Sequence, residues 1–325
     1  MKQTIKKITP AWAIKRLRKY RLRHLVDEIN ALPIEQMGVD EKSFPWVKLR
    51  EGRIFYGLPT SNDEQKLFGC IKRDISSIDE RCFGVISEII DRYRAPRSLP
   101  GELTRFPSRY APIRDPLNDY DFSTNVTKKI ASKFNLRQGD VVVDIGAFHG
   151  FGTMRMADYI GENGKIVAFE ANPVSLDLLK RNIVENRLAN VIVVPKAASN
   201  YTKEASKFYY DGVPTGNSLR GDVLENLGIN SIVEIKVDVD TPDNVLSQIG
   251  IDKVNHVSIT VNGGEPEALE GMANTIKASD NLRITMPGWY YRDGERLDVI
   301  LERKLVQMGL SNVIKGKLGR VLAWK

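Results

Sequence analysis

The 325 residues exceed the usual single-domain size, so one large domain plus a smaller one is expected, and 42% hydrophobic residues suffice for a packed core. No apolar run approaches the roughly 18–20 residues of a membrane span, no apolar stretch of the secretory kind follows the basic N-terminal residues, and two cysteines with three scattered histidines make no metal site. The net charge of +7 lies in residues 1–30, with nine Lys or Arg against two acids, while the rest holds 39 of each sign.

In chain order, "AWAIKRLRKYRLRHLVDEIN" (11–30) reads as a basic helix with an imperfect apolar stripe. It fits a helix packed on the body, a foot on an anionic membrane surface or, less well, a nucleic-acid contact. Leu67, Ile71, Ile75, Ile78, Cys82, Val85 and Ile89 then recur at spacings of three and four, predicting a helical region over 63–94. Cys70 and Cys82 within it read as free thiols of a reducing cytoplasm, so the expected location is cytoplasmic, with peripheral membrane contact through residues 1–30. Pro96, Pro100, Pro107, Pro112 and Pro116 exclude a long helix or a central strand. The expected organisation is therefore a mainly helical region over 1–118, comprising the basic helix and the Pro-rich connector, followed by a second domain over 119–325.

The second domain alternates strand and helix. Ser123 or Thr124 caps a helix using Val126, Ile130 and Phe134. Strands follow at 141–145 and 165–170, with a helix from about 150 between them. Asn172 and Pro173 mark the start of another helix as cap and first helical position. "NVIVVPKAAS", "IVEIKVDVD", "HVSITVNG" and "NLRITM" read as further strands, with helices at about 242–249, 266–277 and 293–308. The chain closes with strand-like pieces at "SNVIKG" and "GRVLAWK". This pattern predicts an α/β fold, an open, mostly parallel sheet covered on both faces.

The first of these strands runs "VVVDIGAFHGFG" (141–152) into a glycine turn. A nicotinamide site prefers G-x-G-x-x-G. Here the glycines are Gly146, Gly150 and Gly152, and Phe148 stands where a ring crowds a pyrophosphate. Asp144 at the strand end suits an amino-acid moiety lying over the turn. Glu170, which ends the next strand, suits the two hydroxyls of a ribose. Acid, turn and acid without a phosphate cradle fit S-adenosylmethionine.

The blocks "VVVDIGAFHGFGT", "GKIVAFEANPVSLDLLKRNIVENRLANVIVVPKAAS", "TGNSL" and "ITVNGGEPEALEGM" resemble the FkbM family of S-adenosylmethionine-dependent methyltransferases, over about residues 120–325. The resemblance implies a Rossmann-like class I sheet of seven strands with an antiparallel last strand. It also implies methyl transfer, usually to a hydroxyl oxygen of a sugar or natural-product scaffold. On it, Asp144, Gly146, Ala147, Phe148 and Gly150 shape the cofactor turn, Glu170 with Asn172 holds the ribose side, and Lys196 and Ala197 lie beside the adenine.

The chain departs from that family's pattern at the strand leading to 265. Where relatives commonly carry two acids, it has Thr260 and Asn262, and only Glu265 is retained. Thr260 and Asn262 orient a hydroxyl but take no proton, which leaves Glu265 first, then Glu267 and His149, as candidate bases, with Asp238 and Asp240 more distant. Asn217 and Ser218 are carried over as substrate-side residues because they match the family's block. Trp289, Tyr290 and Tyr291 of "MPGWYY" are placed either as a stacking surface for a sugar or as a packed corner. The acceptor expected is a glycan or other small molecule. Two further readings are an RNA methyltransferase using residues 1–30 and a cofactor-binding module that has lost catalysis.

Overall fold

A computed structural model describes residues 23, 25–90, 134–210, 217–226, 232–315 and 319–325. They fall into two compact units, up to residue 90 and from residue 134 onward. The basic stretch before residue 23, the Pro-rich connector and the helix expected from 123 lie outside the described residues.

The first unit is less helical than expected. After a helical segment at 25–31 it forms a three-stranded antiparallel sheet, β1 (Ile34–Val39), β2 (Pro45–Leu49) and β3 (Ile54–Tyr56), in that order. The alternation missed was that of β2, whose Pro45, Val47 and Leu49 are buried while Trp46 and Lys48 are half-buried. The long helix expected at 63–94 is broken into α1 (Asn62–Ile71), a 3₁₀ turn (Glu80–Cys82) and α2 (Phe83–Glu88). Helix α1 opens on a capping box in which Ser61 and Glu64 satisfy each other's backbone N–H. The apolar stripe survives the break, with Ile71, Ile75, Cys82, Val85 and Ile89 buried. Cys70 is exposed and Cys82 buried, and both are free thiols.

The second unit is built on β4 (Val141–Ile145), α3 (Phe151–Ile160), β5 (Lys165–Phe169), α4 (Pro173–Glu185) and β6 (Val191–Val194). Then come β7 (Ala197–Ala198), β8 (Lys203–Tyr210), α5 (Gly221–Asn226), β9 (Val233–Asp240), α6 (Pro242–Gln248) and β10 (His256–Ile259). The chain finishes with α7 (Glu265–Glu270), α8 (Ala273–Ala278), β11 (Arg283–Pro287), β12 (Tyr291–Arg292), β13 (Glu295–Arg296), α9 (Leu297–Gln307), β14 (Asn312–Lys315) and β15 (Arg320–Trp324).

Seven strands form one sheet in the order β14-β15-β11-β10-β4-β5-β6. Strands β11, β10, β4, β5 and β6 run parallel, and β15 is antiparallel to both its neighbours. This is the expected Rossmann-like class I sheet. Its central strands are buried apolar runs, as a sheet covered on both faces requires, and Val143, Ile145, Val167, Phe169, Val257, Ile259 and Ile284 join one core. At the amino ends of the strands Arg283 reaches Asp140 at 2.6 Å and also donates to the carbonyls of Asn135 and Asn255.

Three local expectations shift. "IVEIKVDVD" joins not the main sheet but a second one of order β7-β9-β8, in which the unforeseen strand β8 pairs antiparallel with β9. The helix expected at 266–277 splits at Gly271, where a side chain would meet the Ser199 carbonyl at 2.0 Å. The last helix begins at 297 rather than 293, because Asp293 and Gly294, both at positive φ, turn the β12–β13 hairpin. No helix among the described residues is long and apolar enough to cross a membrane.

Candidate active site

Strand order reverses between β4 and β10, and at such a switch point the loops after the carboxyl ends of the strands part to leave a crevice. Four neighbouring strands deliver the candidates there. The loop after β4 carries residues 146–150, β5 runs into Glu170, β6 into Lys196, and β10 into Thr260 and Asn262.

The turn after β4 is closely packed. Gly146 and Ala147 donate to the Phe169 carbonyl at 2.9 and 3.0 Å, and Gly150 donates to the Ala147 carbonyl at 2.9 Å. Gly146 lies at φ +85°, and a Cβ on it would stand 2.1 Å from the Thr260 carbonyl oxygen, so only glycine fits between β4 and β10. A Cβ at Gly150, φ +84°, would meet Leu179 at 2.5 Å. Phe148 is also left-handed, at φ +55°, which costs a non-glycine residue about 1–2 kcal/mol. Its amide donates to Glu170 Oε2 at 2.8 Å, and its ring lies 3.5 Å from the His149 ring.

Asp144 and Glu170 are both buried, 6% exposed each, and the charge of Asp144 acts on Glu170. Asp144 accepts from the Thr153 hydroxyl at 2.7 Å, a partner from the first turn of α3 that the sequence reading passed over. Glu170 accepts from Phe148 and Asn172 amides, both at 2.8 Å. Burial pushes its carboxyl up to about 7, partly offset by those N–H donors. Asn172 caps α4 through the amides of Val174 and Ser175, and its Nδ2 donates to Asn217 Oδ1 at 3.3 Å. Lys196 pairs with Asp240 at 2.6 Å, and Ala197 is buried in β7. Asp240 also accepts from Thr202, Thr241 and Asn244, and its carboxyl drops to about 2 because these donors and the lysine outweigh the burial that opposes ionisation.

On the other side of the turn, Thr260 is exposed and its amide donates to the Ile145 carbonyl at 2.8 Å. Asn262 sits at φ +51°. Its Nδ2 donates to the Asn217 carbonyl at 2.7 Å, its Oδ1 accepts from Tyr290 Oη at 2.7 Å, and its carbonyl accepts from the Ser218 hydroxyl at 3.0 Å. Asn217, Ser218 and Asn262 are thus brought together. Glu265 is fully buried and accepts from Val261 and Gly263 amides at 3.0 and 2.8 Å, and burial pushes it, too, up to about 7. His149 is buried, and its carbonyl accepts from Asn182 at 2.8 Å. Trp289 is half-buried with the Arg320 guanidinium 5.3 Å from its ring centre. Tyr290, expected with Trp289 either to stack on a sugar or to pack as a corner, instead spends its hydroxyl on Asn262. Among the described residues no group of three or more His, Cys, Asp or Glu is placed to hold a metal ion.

A class I sheet with two buried acids around a glycine turn at the switch point defines a methyltransferase of the Rossmann-like kind. Residues 144–306 match the methyltransferase FkbM domain, and the chain belongs to that family. It is similar to a probable cobalt-precorrin-6B C(15)-methyltransferase (decarboxylating) of Sulfurisphaera tokodaii, 29% identical over 85 residues that make up 25% of this chain and 44% of the relative. The chain therefore spans less than half the length of that curated relative. Among solved structures it is similar to a methyltransferase FkbM from Methylobacillus flagellatus, with 15% identity, 57% of this chain and 44% of that one covered, and a TM-score of 0.39. It is also similar to Aeropyrum pernix fibrillarin with natively bound S-adenosyl-L-methionine, with 11% identity, 90% and 99% covered, and a TM-score of 0.38.

Proposed function

We propose that this chain transfers the methyl group of S-adenosylmethionine to a hydroxyl oxygen of a sugar, a glycan or another small-molecule acceptor. The observation that carries the reading is the pair of buried carboxyls, Asp144 and Glu170, on neighbouring parallel strands around one glycine turn. The cofactor supplies an electrophilic methyl on a sulfonium, together with an ammonium and a ribose and no phosphate. Both of its cationic groups suit a pocket with two carboxyls. A phosphate does not suit it, and the Phe148 amide is already spent on Glu170.

In this reading Asp144, fixed by Thr153, holds the amino-acid end. Glu170 holds the ribose with the lone pairs its backbone donors leave, since a carboxylate offers about four acceptor positions. Lys196 and Ala197 border the adenine. Thr260, exposed next to the turn, orients the acceptor hydroxyl, with the 260–265 loop as its wall. Alignment of this kind is worth about 7–11 kcal/mol in well-oriented reactions. Glu265 is the base of this proposal. Its carboxyl, raised to about 7 by burial, titrates where a general base works best, and to accept a proton it exchanges one of its two amide contacts for the acceptor. The stacked His149 is a second, weaker choice.

Calorimetric titration of S-adenosylmethionine and of its demethylated product into the wild type and Glu170→Ala tests the cofactor half. Heat is expected for the wild type and little for the variant, and no heat with either compound in the wild type sinks the proposal. Transfer of labelled methyl to glycan and lipid extracts of cells lacking the protein tests the acceptor half. Label found in RNA instead replaces it.

A further inference from the structure

The family resemblance puts an acid where this chain has Asn262, which on its own reads as decay of a catalytic group. The contacts of Asn262 say otherwise. The Asn217 carbonyl can only accept, so the Asn262 atom 2.7 Å away has to be the amide nitrogen. That assignment turns Oδ1 toward Tyr290, so the Tyr290 hydroxyl has to donate. The donors therefore run one way, from Tyr290 to Asn262 to the Asn217 carbonyl, and bonds aligned in one direction strengthen one another. The line ends at Asn217, which also accepts at its Oδ1 from Asn172 Nδ2, and the Asn172 backbone amide donates to Glu170. A carboxylate at 262 would set an oxygen against the Asn217 carbonyl. The amide is what this network requires.

We propose that Tyr290 is a positioning residue for methyl transfer, acting through Asn262: its hydroxyl fixes the Asn262 carboxamide and with it the left-handed loop that walls the acceptor side. The inference rests on the methyltransferase reading above. Three anchors hold the loop from three directions. Ser218 holds the Asn262 carbonyl, Glu265 the amides on either side of it, and Tyr290 the side chain. The loop begins at Thr260, whose carbonyl presses on Gly146, so a displaced loop shifts the acceptor against the methyl group. Tyr290 cannot serve as a base itself, because burial, with the Glu265 charge nearby, raises its hydroxyl well above the ordinary tyrosine range. Its one contribution is the proton it shares with Asn262.

The test uses the full chain with ¹⁵N-labelled asparagine, the Asn262 side-chain signals being assigned by their loss in Asn262→Asp. In Tyr290→Phe these signals are expected to move and their exchange with water to rise at least tenfold. The rate of labelled methyl transfer to the extract should fall about tenfold, with the dissociation constant for S-adenosylmethionine within twofold of the wild type. Measured as a ratio to the wild type at the same pH, Asn262→Asp should be slowest at alkaline pH and approach the wild type on acidification, because a protonated carboxyl can again donate to Asn217, whereas a merely structural lesion gives no such profile. Unchanged Asn262 signals in Tyr290→Phe, or an unchanged rate, overturn the proposal. A wild type that binds no cofactor sinks the methyltransferase reading and takes the positioning role with it, yet the carboxamide signals still report whether the chain of bonds exists.

Discussion

The turn after β4, assigned to the cofactor side in the proposal, and the 260–265 loop, assigned to the acceptor side, are built with the same device. Each has a buried glutamate whose two oxygens grip two backbone amides, and each contains a left-handed residue other than glycine: Phe148 on one side, Asn262 on the other. They differ in reach. Glu170 grips an amide 22 residues back in the chain, so it ties one strand's loop to another's. Glu265 grips amides only two and four residues away and closes on itself. The long clasp fixes the spacing between strands, and the short one fixes the shape of a single loop. The cofactor side should therefore fail as a whole and the acceptor side locally.

The sharpest way to break the long clasp is Gly146→Ala. Its methyl has no room beside Thr260, and the expected loss exceeds about 3 kcal/mol of stability by denaturant titration, together with cofactor binding. Glu170→Ala should weaken S-adenosylmethionine at least about fiftyfold by calorimetry, since charge-assisted hydrogen bonds are the strong ones. Glu265→Ala strands two amides in a buried loop and should cost about 2–4 kcal/mol of stability while changing cofactor affinity by less than threefold. Equal loss of cofactor affinity in both glutamate variants would erase the distinction between the clasps.

The smallest effects are pH-dependent. Glu170 and Glu265 are both raised from 4.5 to about 7, so the folded chain keeps each proton longer than the unfolded one. Their stabilising contribution is complete below about 4.5 and is lost as pH rises through about 7. His256 runs the other way. Burial, with Arg283 adding to it, pushes its imidazole down from 6.5 to about 3, so the stability it governs is lost as pH falls below 6.5. The wild type is the sum of both trends, and the difference between wild type and Glu265→Gln isolates one of them. That difference should move in the wild type's favour as pH drops from about 7 to about 4.5, and a difference flat with pH contradicts the buried-clasp description. S-adenosylmethionine should also bind several-fold more tightly above pH 7 than at pH 6, because hydroxyl and cationic groups prefer the ionised Glu170.

The parallel core was legible because buried runs such as "VVVDI" and "KIVAF" and the Asn172–Pro173 cap are local signals. Asp144 and Glu170 followed from them, one near the end of β4 and one just past the end of the neighbouring β5. What stayed hidden depended on partners far apart in the chain. Asn262 meets Asn217 across 45 positions and Tyr290 across 28, and no periodicity encodes such pairs. Glu265 did carry a clue, since the glycine-rich turn before it leaves amides, those of Val261 and Gly263, that need an acceptor. Asp293–Gly294 was a hairpin signal, overlooked because the apolar spacing of the following helix was extended backward across it.

The knot around Asp240 has an implication for redesign. Thr202 enters the β8–β9 hairpin and Asp240 leaves it, and the two side chains are bonded at 2.8 Å with Lys196 on the same carboxylate. The base of the hairpin is thus fastened by side chains of its own. Tips exchanged between relatives, with Lys196, Thr202, Asp240 and the Asn217–Ser218 pair left in place, offer a route to new acceptors without rebuilding the sheet beneath.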